Sequence, residues 1–165
     1  MEEKLEHLLQ LVEKKLNDSR EIMNISNEVL KLASESCFEE AYELLDKRGQ
    51  FLVSVSELDK EIMKASHDID LKRSGKLKKV LAMNEPDNLL PEERKLALLM
   101  QAFASVMKSV MELNGKIKRE FERGKIDMMS ELSSIGDQKK KLMHSKQFVS
   151  SGLGPEDLSG WNMKL

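Results

Sequence analysis

Residues 37–70 read CFEEAYELLDKRGQFLVSVSELDKEIMKASHDID, and this stretch decides the fold. Within it Ala41, Leu44, Phe51, Val55, Leu58, Ile62, Ala65 and Ile69 recur at alternating spacings of three and four, interrupted once by Arg48. That spacing keeps one stripe of side chains on one side of an α-helix for turn after turn, which is how long helices pack lengthwise against partners. It predicts a helix over about 37–70 and a rod of helices around it.

The same reading extends in both directions. Toward the N-terminus, Leu5, Leu9, Val12, Leu16, Met23, Leu30 and Ala33 form a stripe with Ser19 and Ser26 at intervening positions, which predicts a first helix over about 2–34. Ser34-Glu35-Ser36 offers N-cap chemistry for the second helix, and Glu39 and Glu40 suit its first turn. Between Lys72 and Pro91 the period weakens. Arg73-Ser74-Gly75 reads as a break, Leu77, Val80 and Leu81 as a short helix, and Asn84-Glu85-Pro86-Asp87-Asn88 as a turn, so 72–91 is expected to be a connector. Pro91-Glu92-Glu93 then opens a third long helix, carried by Leu96, Leu99, Phe103, Val106, Val110, Leu113 and Ile117 and continuing to about Phe148.

Gly115 does not shift that register, so the helix is expected to pass through it. At about 58 residues it exceeds both earlier helices, so part of it is expected to overhang, or to bend or break near Gly124 or Gly136. The expectation is an all-α, elongated antiparallel bundle of three long helices and a short connector helix, one domain over 1–149. A tail over 150–165, with Gly152, Gly154, Pro155 and Gly160, shows no sustained period.

Composition fits this class. Charged residues are 34% and aromatics 4% of the 165, which suits a solvent-washed helical assembly better than a barrel or a deep pocket. Residues 1–71 hold 9 Lys/Arg against 17 Asp/Glu, a charge of −8, and residues 72–165 hold 18 against 12, or +6. Opposite halves suit folding back on each other. The single cysteine, Cys37, leaves no internal disulfide framework and favours a reducing compartment. No run of about 18 consecutive apolar residues is present, and Glu2 and Glu3 stand where a secretory signal would carry positive charge. The expectation is a cytoplasmic protein without membrane insertion.

Catalytic patterns are missing from the reading. His7, His67 and His144 sit in separate segments without metal-ligand spacing, so neither metal nor cofactor is expected. Arg73-Ser74-Gly75-Lys76 lacks the upstream glycine and the following Ser/Thr of a phosphate loop. Lys72, Arg73, Lys76, Lys78 and Lys79 have no interleaved aromatics to stack on bases, so nucleic acid is not an expected partner. The chain reads as a non-enzyme. Six of the 11 methionines, Met100, Met107, Met111, Met128, Met129 and Met143, lie on the third long helix. Thioethers there serve either as core filler or as an adaptable strip for a partner helix.

The run Cys37 to Leu52 with Leu58-Asp59-Lys60-Glu61-Ile62 resembles the second-helix pattern of FlgN- and FliT-type flagellar type III export chaperones: an acidic-apolar opening, Leu44-Leu45, Lys47-Arg48, an apolar run and Leu-Asp. Arg48 matches the arginine of that pair, and its guanidinium is expected to reach a Glu or Asp on a neighbouring helix. Leu113-Asn114 followed by a long amphipathic helix is similar to a later segment of such proteins, as is the polar, basic run from Gln138 to Phe148. Ile117 stands where a second asparagine is often found, and Phe148 replaces a usual tyrosine.

The resemblance implies a cytoplasmic chaperone that binds the C-terminal helical segment of a flagellar axial protein, a hook-filament junction or filament-cap protein, and delivers it to the export apparatus. It places the partner site on the C-terminal part of the last helix, where Met128, Met129, Leu132, Ile135, Leu142 and Met143 would supply apolar contact. Lys125, Lys139, Lys140 and Lys141 would steer an acidic client or simply form a solvated face. The competing reading is a structural coiled-coil module of a larger assembly, which would share the stripes.

Overall fold

The computed structural model describes residues 2–70, 75–84 and 88–146, with side chains from residue 3 to residue 141 within those stretches. Four helices and no strand occur among them: α1 (Glu2–Ser34), α2 (Phe38–Asp70), α3 (Lys76–Leu81) and α4 (Pro91–Lys146). The chain divides into two compact units, Met1–Gly124 and Lys125–Leu165. The expected tail over 150–165, the helix end at Phe148 and the break at Arg73-Ser74 lie outside the described residues, as does the centre of the Pro86 turn.

The α1–α2 connection corrects one expectation. Ser36 lies in the left-handed region at φ 63°, the Cys37 N–H donates to the Leu32 carbonyl at 2.8 Å, and the Ser36 N–H donates to the Ala33 carbonyl at 3.1 Å. This is a Schellman ending, which satisfies carbonyls that a helix C-terminus leaves open. The Ser34 hydroxyl donates back to the Lys31 carbonyl. Ser34 and Ser36 thus close α1 rather than capping α2. The second helix begins from Cys37, whose carbonyl accepts the Ala41 N–H at 3.1 Å.

This tight turn sends α2 back along α1. Lys15 Nζ is 2.5 Å from Asp59 Oδ1, the Ser54 hydroxyl donates to Asp18 at 2.7 Å, and Arg48 reaches Ser26, so rising numbers on α1 meet falling numbers on α2. Ser19, Ser26 and Ala33 on α1 and Ala41 on α2 are fully buried. Small side chains at those positions let the helix axes approach closely. The hydroxyls of Ser19 and Ser26 donate to the carbonyls of Lys15 and Ile22, each at 2.7 Å, so burying them leaves no donor stranded.

Both later helices start with side-chain caps. Asp70, the last residue of α2, accepts the Leu77 and Lys78 N–H groups at 3.0 Å each, placing negative charge on the α3 N-terminus. Gly75 just before it takes φ 72°, which glycine adopts at little cost. At the start of α4 the buried Glu93 reaches back to accept the Leu90 N–H at 3.0 Å, with Pro91 at the first helical position as expected.

The core of the first unit is layered. Leu5, Leu8 and Val12 of α1, Leu58, Ile62 and Ile69 of α2, Leu77 and Val80 of α3, and Leu96 and Met100 of α4 form one apolar cluster. Ile22, Val55 and Val110 form another, with Phe51, Phe103 and Val106 packed against it. Truncating any fully buried leucine here removes about 2–5 kcal/mol. Lys15, 6% exposed, places its ammonium 3.8 Å from the centroid of the Phe103 ring while pairing with Asp59.

Arg48 forms a polar layer of its own. It occupies the same stripe as Ala41, Val55, Ile62 and Ile69, and is 9% exposed. Instead of the expected carboxylate, Nη1 donates to Asn114 Oδ1 on α4 at 2.6 Å and to the Ser26 hydroxyl on α1 at 3.2 Å. The expected acid partner is thereby corrected: the acceptors within reach of the guanidinium are a hydroxyl and an amide oxygen. Nε has no protein acceptor, and burial lowers the guanidinium pKa from its ordinary value.

Near the α1–α2 turn an aromatic group closes this unit. Phe121 of α4 stacks at a tilt on Phe38 and Tyr42 of α2, with ring centroids 5.4 and 5.1 Å apart, and burial raises the Tyr42 phenol pKa. Arg123 donates to the Ser34 carbonyl at 3.2 Å, tying α4 to the end of α1. Helix α4 is continuous through Gly115, Gly124 and Gly136, yet the three glycines differ. A Cβ at Gly115 or Gly136 would meet open space, whereas one at Gly124 would enter the Phe38 ring.

Within Pro91–Lys141 an 18-residue window reaches a mean hydropathy of 1.4, with 22% of it buried, so by length and composition α4 has a stretch apolar enough to cross a bilayer. The run reading of the sequence, which counted uninterrupted apolar residues, does not register it because isolated polar residues break the run. Leu96, Ala97 and Met100 of this helix belong to the main apolar cluster.

Two stability predictions result. Gly115→Ala should be neutral or stabilise by up to about 1 kcal/mol, while Gly124→Ala should destabilise by about 1–3 kcal/mol as Phe38 is displaced; urea unfolding of the two variants checks the opposite signs. Asn114→Leu should cost about 1–3 kcal/mol because it strips the buried guanidinium of its shorter hydrogen bond. Adding Arg48→Met to Asn114→Leu should recover most of that loss, which a double-mutant cycle measures directly.

Candidate partner-binding strip on the last helix

Beyond Gly124, α4 carries LysIle, Asp, MetMet, Ser, Glu and Leu at 125–132, then SerSerIleGlyAspGln and three lysines at 133–141. Met, Leu, Glu, Lys and Gln are good helix formers, so this segment sustains a helix locally even though its side chains remain in solvent. At about 100° per residue, Met128, Leu132 and Ile135 fall within a narrow arc, with Met129 at its edge. They are 40%, 47%, 48% and 51% exposed respectively. Four of the six residues expected to form a partner site thus share an open apolar strip. Leu142 and Met143 lie within α4, but their side chains are outside the described residues.

Scattered exposed apolar side chains are ordinary on soluble helices; a contiguous row on one face is less so. Leu52, Val53, Met63, Leu98 and Met111 in the first unit are likewise exposed, but they sit on different helices and turns. Met100, at 7% exposure, belongs to the core. The methionines of α4 therefore divide between buried and exposed positions.

Charge around the strip is ordered, and the sequence reading captured only half of it. Lys125, Leu132 and Lys139 repeat at a spacing of seven, so two exposed lysines stand nearly in line with the apolar row, one at each end. Lys140 lies beside Met129 on one flank; Lys141 projects from the far side. Asp127 and Glu131 occupy the other flank, and both are exposed. The signal for this acidic edge was available in the helical positions of Asp127 and Glu131, not in the lysine run that draws attention first. Ile126 points away from the strip and is 66% exposed.

Elsewhere a surface cavity of about 440 Å³ opens between the start of α1 and the end of α2, lined by Glu3, Lys4, His7, Leu11, Glu61, Lys64, Ala65 and Asp68. Its rim carries both acidic and basic side chains. Among the described residues no group of three or more His, Cys, Asp or Glu side chains is placed to hold a metal ion. Cys37 is partly buried in the α1–α2 turn, its thiol 3.8 Å from the Glu35 carbonyl oxygen.

No protein-family profile, curated protein or solved structure matches this chain.

Because the strip is exposed, changing Leu132 and Ile135 together to Asp should alter folding stability by no more than about 0.5 kcal/mol, as for other surface substitutions. Thermal unfolding of the double variant checks this. A core position would instead lose several kcal/mol from charges forced out of water.

Proposed function

We propose that this protein is a cytoplasmic export chaperone of the FlgN/FliT type, a non-enzymatic, elongated antiparallel bundle of three long helices that holds the C-terminal helical segment of a flagellar axial protein. The client would be a hook-filament junction or filament-cap protein, released at the type III export apparatus. The observation that carries this reading is the open Met128-Met129-Leu132-Ile135 strip on a continuous helix. A disordered client segment that folds as an amphipathic helix on such a strip exchanges ordering entropy for apolar burial.

The Arg48–Asn114 contact gives secondary support. Those two residues belong to the separate segments, Cys37 to Ile62 and Leu113-Asn114, through which the sequence resembles the family, and they touch each other. Contact between them gives the two motifs a common structural reason. It bears on fold, whereas the client rests on the strip and on analogy.

The test is capture of C-terminal segments of flagellar axial proteins by the purified full chain. Wild-type protein should retain such a segment, and Leu132→Asp/Ile135→Asp should lose it while keeping its melting temperature. Stable filaments or higher oligomers with no capture would instead favour a structural coiled-coil module.

A further inference from the structure

The two in-line lysines define what the strip can hold. Lys125 and Lys139 flank Met128, Leu132 and Ile135 and are placed symmetrically about Leu132, about 21 Å apart along the axis at 1.5 Å per residue. A second copy of the chain is a poor occupant. In parallel register each lysine would face its own counterpart; in antiparallel register centred on Leu132, Lys125 would face Lys139. Both arrangements put ammonium groups together at each end of a short apolar contact, where desolvation strengthens repulsion.

A different helix avoids that repulsion if it carries carboxylates at the two ends. We propose that the strip selects an amphipathic helix whose apolar positions repeat the spacing of Met128, Leu132 and Ile135 and are bracketed on the same face by acidic residues at the spacing of Lys125 and Lys139. Its carboxylates pair with the two lysines while its apolar side chains cover the strip. This rests on the proposed client-binding role of the strip and adds the chemistry of the client. The two lysines, being symmetric about Leu132, accept such a helix in either direction; Asp127 and Glu131 on one flank, opposite Lys140 on the other, favour a client whose outer flanks carry the reverse charges.

Two synthetic helical peptides test it against the full-length chain by fluorescence anisotropy. Both carry leucines at the strip's spacing; one has glutamate at the two bracketing positions and the other lysine. The glutamate peptide should bind about tenfold more tightly at low salt, an advantage that shrinks as salt is raised. Lys125→Glu/Lys139→Glu should reverse the preference without shifting the melting temperature, since both lysines are exposed.

Equal binding of the two peptides, with both lost in Leu132→Asp/Ile135→Asp, overturns the charge bracket and leaves the strip as a binding site. Failure of both peptides to bind overturns the bracket and removes support for the strip itself. Sedimentation of the free chain completes the test: a dimer that dissociates on Leu132→Asp/Ile135→Asp would mean that a second copy occupies the strip, against the proposal.

Discussion

A positive charge buried between three helices is the constraint on which the rest of the first unit turns. Arg48 donates to Ser26 on α1 and Asn114 on α4 from a stripe position on α2. Apolar side chains tolerate sliding by a turn at moderate cost; a guanidinium with two specific acceptors does not. Shifting α4 by one turn would strip Arg48 of its shorter hydrogen bond and leave the buried cation with the Ser26 hydroxyl alone. Such a contact is poor as a source of net stability and effective as a register pin.

Around that pin the layers differ in chemistry for a common reason. The α1–α2 pair is drawn close by Ser19, Ser26, Ala33 and Ala41, so it accommodates little bulk in its middle. Bulk is supplied from α4 by Phe103 and Phe121, which meet Lys15 and the Phe38–Tyr42 pair respectively. The absence of a Cβ at Gly124 is part of the same arrangement, since the Phe38 ring occupies that space. Glycine in a helix is usually a liability; here one of three is used for close approach, and Gly115 and Gly136 have no such contact.

The strip on the later part of α4 has the opposite character. Good helix formers maintain the segment, and exposed Met, Leu and Ile side chains leave apolar area unspent. Thioethers adapt to differing partner shapes with little rotamer penalty, so Met128 and Met129 favour breadth of fit. In the proposed client-binding role, selectivity would come from charge, which Lys125, Lys139, Asp127 and Glu131 carry around the strip.

The helices and the starts of α2 and α4 were legible in the sequence because they depend on local information: the stripe of Ala41 to Ile69, and Pro91 with Glu93 at a helix start. The common arc of Met128, Leu132 and Ile135 was legible in their helical spacing, whereas their exposure is a property of the folded chain. The partners of Arg48 were not. Charge complementarity suggests a carboxylate, and only the tertiary arrangement puts the Ser26 hydroxyl of α1 and the Asn114 amide of α4 within reach of the guanidinium. Ser36 differs in kind, because its contacts are local: serine favours N-caps by propensity, while a three-residue reversal needs a left-handed residue to bond the last carbonyls of α1. Likewise the sequence marks Gly124 as a weak point of a helix, and only tertiary packing shows a phenyl ring filling the space of its missing Cβ. Helix formation is governed by neighbours within about a turn; the Arg48 and Gly124 contacts join residues tens of positions apart, whose distances exist only after the chain has folded.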